Sequence, residues 1–199
     1  MFVLTIDQES SRHGEDRVPA LLEALAHVPA LRPFVRTVGD EVQAVFDNPQ
    51  AVLEVLMWVQ RDGHWHCGLG VGGGELPDVE DAPDSRSGRG DAFVHARTAV
   101  DEAKRNPSSV AVRADRAEAA AQTQALLGLL DIIRAGRTDR QWAIIDEVEA
   151  AGGITPAAQR LGVSAQNVSQ AYARSARKQE LACHPLLLRL LTELDEGRL

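Results

Sequence analysis

The sequence has few of the features that assign a chain to a class at first sight. Only two cysteines, Cys67 and Cys183, occur among the 199 residues, and their wide separation gives neither a disulfide framework nor zinc-ligand spacing. No run approaches the ~18 apolar residues of a membrane span. The N-terminal segment reaches the acidic Asp7 before a signal-peptide core can form. We therefore expect a soluble, cytoplasmic protein.

An excess of basic residues is also absent. The chain carries 21 basic and 29 acidic residues and a net charge of −8, a balance that by itself disfavours a nucleic-acid partner. The charge is unevenly divided, because residues 1–112 hold 10 basic and 18 acidic side chains whereas residues 113–199 hold 11 of each. DNA binding by this neutral C-terminal part should be weak in a monomer and strongly salt-dependent.

Residues 154–178, ITPAAQRLGVSAQNVSQAYARSARK, have the pattern of two short helices joined by a tight turn. Thr155 is expected to cap the first helix, with Pro156 at its first position. Gly162 suits the left-handed backbone at the end of that helix. Val163 is expected to fill the angle between the helices, and Ser164 to cap the second one. Apolar side chains at the crossing would be Ala158, Leu161, Val163, Val168 and Ala171.

The second helix then presents a polar face suited to a DNA major groove. Gln and Asn side chains can hydrogen-bond an adenine edge twice, and Arg can do the same with guanine. A supporting helix over residues 140–151 carries Trp142, Ile145 and Val148 at helical spacing. An ordinary helical hairpin without DNA contact is the alternative. The candidate DNA-binding residues are Thr155, Ser164, Ala165, Gln166, Asn167, Ser169, Gln170 and Arg174.

Residues 138–180 resemble the helix-turn-helix domains of bacterial transcription regulators. The preceding helix, predicted over residues 113–134, offers Ala117, Ala121, Ala125, Leu126 and Leu129 as a packing seam. Because one neutral helix-turn-helix makes little DNA contact, we expect a homodimer that reads two half-sites. The regions are then residues 1–112, a connecting helix over 113–137, and a DNA-binding domain over 138–199.

The N-terminal region predicts an α+β fold. Its periodicities give the order strand, helix, two strands, helix, strand, followed by a long loop, a helix and a last strand. The βαββαβ part, with a hairpin in its centre, predicts a split-βαβ sheet with helices on one face.

Asp7 ends the first strand, TVGDEVQAVF forms the hairpin, and GLGVGGG with GRGDAFVHARTAVDEAK supplies the later strand and helix. This set resembles the catalytic palm of class III nucleotide cyclases and GGDEF diguanylate cyclases. The run D-x-x-x-SR, GDE-x-Q, G-x-G-x-G and G-x-AF-x-x-AR is closer still to the SatD family of small bacterial proteins.

The cyclase resemblance implies a two-metal site. Asp7 and Asp40 match the carboxylates that hold two Mg²⁺ ions for a nucleotide triphosphate, and oxygen ligands suit that hard cation. Ser11 and Arg12 follow Asp7 and are candidates to meet the phosphates. The alternative is a strand-end Asp and a turn Asp without a ligand.

Departures from the cyclase pattern concern catalysis. Val94 or His95 stands where cyclases carry the Asn that stabilises the transition state, and Arg97 is out of step. Val38 replaces the first glycine of GGDEF. We therefore expect a DNA-binding transcription regulator whose palm senses a nucleotide or partner without catalysis. The alternatives are a metal-dependent nucleotidyl cyclase and a protein that binds only other proteins.

Overall fold

The computed structural model describes residues 1–9, 14–78, 80 and 84–196. Within these residues the chain forms five strands and eight helices, which confirms the predicted α+β class. The strands are β1 (Phe2–Gln8), β2 (Arg32–Arg36), β3 (Glu41–Phe46), β4 (Trp65–Val71) and β5 (Val110–Ala114). The helices are α1 (Val18–Leu25), α2 (Pro49–Asp62), α3 (Asp91–Ala103), α4 (Ala117–Ala135), α5 (Asp139–Ala151), α6 (Ile154–Leu161), α7 (Ala165–Arg174) and α8 (Arg177–Asp195).

The five strands form a single sheet in the order β2-β3-β1-β4-β5. β1 is antiparallel to both of its neighbours, β3 and β4, whereas β5 runs parallel to β4. A parallel pair needs a crossover connection, and α3 supplies it. The register places Asp7 opposite Glu41 of β3 and His66 of β4. The end of β1 therefore lies between two polar residues.

The largest core lies between one face of the sheet and four helices. Alternate residues of β1, namely Phe2, Leu4 and Ile6, point into it and are fully buried. Helices α1, α2, α4 and α8 cover this face with their apolar stripes. Asn48 begins α2 by accepting a hydrogen bond from the backbone N–H of Gln50, as its capping chemistry predicts.

Helices α1 and α2 of the βαββαβ part share that face, whereas α3, which follows this part, packs on the opposite face of the sheet. Val3 and Val45 contact Ala92 and Ala96 there. Gly68 and Gly70 also face α3, and a Cβ at Gly70 would lie 2.1 Å from the carbonyl oxygen of Ala92. These glycines of β4 let the helix backbone lie directly on the strand. They serve packing.

The C-terminal helix returns to the sheet after a separate three-helix unit. Helices α5, α6 and α7 share their own small core of Ile144, Val148, Ala157, Ala158 and Val168. Leu187, Leu191 and Leu194 of α8 lie in the main core. We call β1–β5 with α1–α4 and α8 the sheet unit. Among the described helices, none combines the length and apolarity needed to cross a membrane.

Candidate nucleic-acid interface and the junction beneath it

The turn between α6 and α7 has the predicted geometry. Gly162 ends α6 in the left-handed conformation, with φ of 65°. The Ser164 hydroxyl accepts a hydrogen bond from the backbone N–H of Asn167 at 3.2 Å, which confirms it as the cap of α7. The N–H of Val163 donates to the carbonyl of Ala158 at 3.1 Å. The turn between the two helices is thus held by one hydrogen bond to the Ser164 side chain and one between backbone atoms.

Two details of this segment differ from the prediction. Helix α6 begins at Ile154 with Gly153 at its cap position and no side-chain cap bond, so Thr155 is an exposed residue of the first turn. Gly153 takes φ of 155°, a conformation open to glycine, and the helix starts two residues earlier than predicted. Val163 is 41% exposed and Leu161 39%, so neither fills the angle between the helices.

Helix α7 points almost all of its side chains away from the protein. Val168 is its one buried residue, and it anchors the helix to the small core. The candidate reading residues Ala165, Gln166, Asn167, Ser169, Gln170 and Arg174 are all exposed. Asn167, Gln170 and Arg174 line a shallow groove of about 450 Å³ together with Arg140 of α5. The supporting helix therefore adds a second guanidinium to this face.

Cationic side chains on this face are free to meet phosphates. Arg140, Arg174 and Lys178 are exposed, and within the described residues none of them forms an ion pair. Arg160 of α6 is different, because it pairs with Glu147 at 3.2 Å.

The predicted metal ligands lie near one another in the fold but in different settings. Asp7 faces α3, and its carboxylate accepts from the ammonium of Lys104 at 2.9 Å. Opposite Asp7, Glu41 is paired with Arg97 and accepts a hydrogen bond from Thr37 at 2.8 Å. Helix α3 thus supplies Arg97 to Glu41, and Lys104, the residue directly after its end, pairs with Asp7. Arg97, which lay out of step with the cyclase pattern, has this role instead.

Asp40 lies one residue before β3, in the hairpin turn after Gly39. It is half-buried, and it forms no hydrogen bond or ion pair within the part of the chain that the structure describes. Searching that same part finds no group of three His, Cys, Asp or Glu side chains suited to a metal ion. Asp7 and the neighbouring Glu41 thus each have a cationic partner, whereas Asp40 has none within the described residues. Ser11 and Arg12 lie outside the described residues.

A buried ionic cluster joins the three-helix unit to the sheet unit. Glu180 of α8 is fully buried, and its carboxylate is paired with Arg134 at the end of α4, with Arg137 at 2.5 Å and with Arg177 at 2.7 Å. Burial alone would raise the pKa of Glu180, but the surrounding guanidiniums outweigh it and hold that pKa below its ordinary value. Glu180 is therefore ionised at neutral pH.

Trp142 of α5 forms the aromatic part of this junction. The guanidiniums of Arg61, Arg134 and Arg137 lie 4.5, 5.1 and 4.6 Å from the centre of its ring, within the range of cation–π attraction. The sequence predicted Trp142 as a residue of the supporting helix, but it faces the sheet unit, whereas Ile144 and Val148 face α6 and α7. No spacing rule marks such a cluster in advance.

The cluster also fixes the end of α7. Arg137 donates through Nε to the carbonyl oxygen of Ser175 at 2.8 Å. The next residue, Ala176, turns the chain into α8 with φ of 53°, a left-handed conformation that costs a non-glycine residue ~1–2 kcal/mol. The hydrogen bond between Arg137 and Ser175 thus links the end of α7 directly to the buried cluster.

Comparisons with protein-family models, with curated proteins and with solved structures find no match to this chain. What the protein does must therefore follow from its own side chains.

Proposed function

We propose that this protein is a DNA-binding transcription regulator in which α7 enters the major groove as the second helix of a helix-turn-helix. The observation that carries the proposal is the fully exposed polar face of α7, held by the capped turn at Ser164. An α-helix with its side chains is about 10–12 Å in diameter, and the ~12 Å width of the major groove admits it.

The residue types on this face suit both parts of DNA recognition. Gln166, Asn167 and Gln170 lie toward the start of α7, which is the part of a recognition helix that reaches base edges. Arg174 and Arg140 lie at its flank, where they can bind guanine or phosphate. Within the described residues these two arginines have no carboxylate to release before binding.

We further propose that the regulator is a homodimer, joined through α4. An apolar stripe of this helix faces outward, with Leu129 55% and Ile132 73% exposed. Ala121 and Ala125 continue the stripe, and Leu126 turns inward against the main core. A second copy on this stripe would place two reading helices on one DNA duplex, which offsets the low net charge of each.

The sheet unit is proposed as a sensing unit rather than a catalyst. Lys104 forms an ion pair with Asp7, and Arg97 forms one with Glu41, so one of the two carboxylates expected to hold magnesium has a cationic partner. Fewer observations support magnesium and nucleotide binding at Asp7 and Asp40 than support DNA binding by α7.

Point substitution is the appropriate test, because deleting residues 138–199 would also remove the leucines of α8 from the main core. DNA fragments selected from a random pool by the full chain should bind Gln170→Ala and Arg174→Ala more weakly by about 1–3 kcal/mol each, with relaxed sequence preference. Arg189→Ala is the matched control, since Arg189 is 67% exposed on α8. Equal DNA affinity of all three variants and the wild type would refute the proposal.

A further inference from the structure

Helix α4 has an uncharged face on the side that it turns away from the protein. Its buried residues, among them Leu127 and Leu130, face the main core. The repeat of 3.6 residues per turn places another set on the opposite side: Ala121, Gln122, Ala125, Gly128, Leu129, Ile132 and Ala135. Leu129 and Ile132 are the large exposed side chains of this set. A continuous exposed apolar surface of this kind marks an interaction site.

A groove of about 460 Å³ runs beside this face, between the C-terminal half of α4 and the loop before β5. Pro107 borders it on the loop side. On the helix side Ala125 and Gly128 have short side chains that leave it open, while Leu129 and Ile132 stand beside it as a ridge. A ridge next to a groove is self-complementary, because a two-fold axis places the ridge of each copy in the groove of the other.

One charged residue, Asp131, also lines the groove. Its carboxylate accepts hydrogen bonds from the backbone N–H and the hydroxyl of Ser109, at 3.0 and 3.1 Å. These bonds hold the charge against the start of β5. The ridge of Leu129 and Ile132 itself is therefore free of charge.

Gly128 has no role inside the chain that would require a glycine. A Cβ at this position would have the hydroxyl oxygen of Ser108 as its nearest neighbour, at 4.0 Å, so an alanine would fit. Gly70 differs, because a Cβ there would collide with the backbone of α3. Glycine is less favourable than alanine inside a helix, and it allows another backbone to approach closely. Gly128 thus suits the closest approach of a helix from outside the chain.

Charges at the two ends of this face favour an antiparallel partner. Glu118 lies at the start of the face, and the loop that contains Arg105 lies beside its other end, where Asn106 and Pro107 approach Ala135. Glu118 and Arg105 are exposed, and neither forms an ion pair within the described residues. An antiparallel pair brings each Glu118 toward the partner's end that carries Arg105. A parallel pair would set the two Glu118 carboxylates against each other, which is repulsive.

We infer that two copies of this chain pair through antiparallel α4 helices that cross at Gly128, with Leu129 and Ile132 of each copy in the groove of the other. The inference rests on the homodimer proposed above and adds its geometry. It does not depend on the reading of DNA, so both measurements below use the full chain without DNA.

Sedimentation velocity at micromolar concentration tests the surface. The wild type should be a dimer, and Ile132→Asp should weaken it at least a hundredfold, because a two-fold contact loses the buried side chain twice. Val94→Asp is the matched control, since Val94 is 63% exposed on α3 and should leave the dimer unchanged. Gly128→Ala fits within the chain but meets the partner helix, so it should weaken the dimer at least fivefold.

Disulfide formation tests the direction of the helices, in a Cys183→Ser background where the remaining Cys67 is fully buried. Leu129→Cys lies next to the crossing and should link two copies under mild oxidation. Gln122→Cys should not, because the two copies of this position would be about 18 Å apart along the axis, beyond the reach of a disulfide.

Three results would overturn the inference. The first is a monomer at micromolar concentration, and the second is a dimer that Ile132→Asp weakens no more than Val94→Asp does. The third is equal linking through Gln122→Cys and Leu129→Cys, which would indicate parallel helices. A dimer with the expected behaviour that selects no DNA from a random pool would instead contradict only the reading function, and a monomer that selects DNA would contradict only the pairing.

Discussion

Glu180→Gln is the most informative single change in this protein. The substitution keeps the size of the side chain and removes its charge, so the packing around α8 stays nearly the same. Arg134, Arg137 and Arg177 then lose the carboxylate that they share. We expect a strongly destabilised protein, because several buried guanidiniums repel one another without a counter-charge.

The size of the effect follows from the burial of the cluster. Breaking a buried ion pair by removing one partner costs about 3–5 kcal/mol. Glu180 is 0% exposed, so solvent screening does not reduce this figure. For a chain of this length each kcal/mol lowers Tm by about 2–4 °C, which gives an expected decrease of about 6–20 °C.

Urea unfolding followed by circular dichroism measures the loss directly. The matched control is Glu75→Gln, the same change in a pair with Arg89 whose side chains are 74% and 81% exposed, where about 0–1 kcal/mol is expected. A double variant with Arg137→Gln should recover part of the loss, since it removes one unmatched charge. Equal stability of Glu180→Gln and Glu75→Gln would refute the role assigned to the cluster.

Two further predictions concern packing and acid stability. Gly70→Ala should destabilise the protein by about 1–3 kcal/mol in the same unfolding assay, because its Cβ would meet the α3 backbone. Thermal stability should fall as pH drops below 6.5 and again below 4.5: burial, with Arg177 and Arg134, lowers the pKa of His184, and Glu180 has a lowered pKa. His184→Asn should remove the first decrease.

The order of secondary structure follows from short-range patterns in the sequence. Strand alternation, helical spacing and capping residues such as Asn48 and Ser164 act over a few residues, and the structure has the predicted strands and helices in the predicted order. The position of α3 is a different kind of property. The glycines of β4 lie in a segment that the sequence predicts as a strand, but their role in bringing α3 onto the second face depends on contacts with Ala92 and Ala96, which no local pattern reveals.

The carboxylate pair shows a similar limit. Strand order was enough to bring Asp7 near the hairpin, and the register then placed it opposite Glu41 rather than Asp40. Which side chain pairs with which cation was set by the helix on that face, through Lys104 and Arg97. A motif comparison reports residue types along the chain. Whether a carboxylate is neutralised depends instead on which cationic side chains the helix packed on that face of the sheet brings near it.

The ionic cluster around Glu180 could not be predicted from the sequence for a further reason. The charged residues of the junction are spread over 120 residues of the sequence: Arg61, Arg134, Arg137 and Glu180. In the sequence each of them looks like an ordinary charged residue on the solvent-exposed side of a helix. Arg134, Arg137 and Glu180 are buried because α8 returns to the sheet after α7 and brings Glu180 between the two units. The same return ties the end of α7 to Arg137, through the carbonyl of Ser175. Arg137 therefore belongs both to the buried cluster and to the contact that holds the end of the exposed helix.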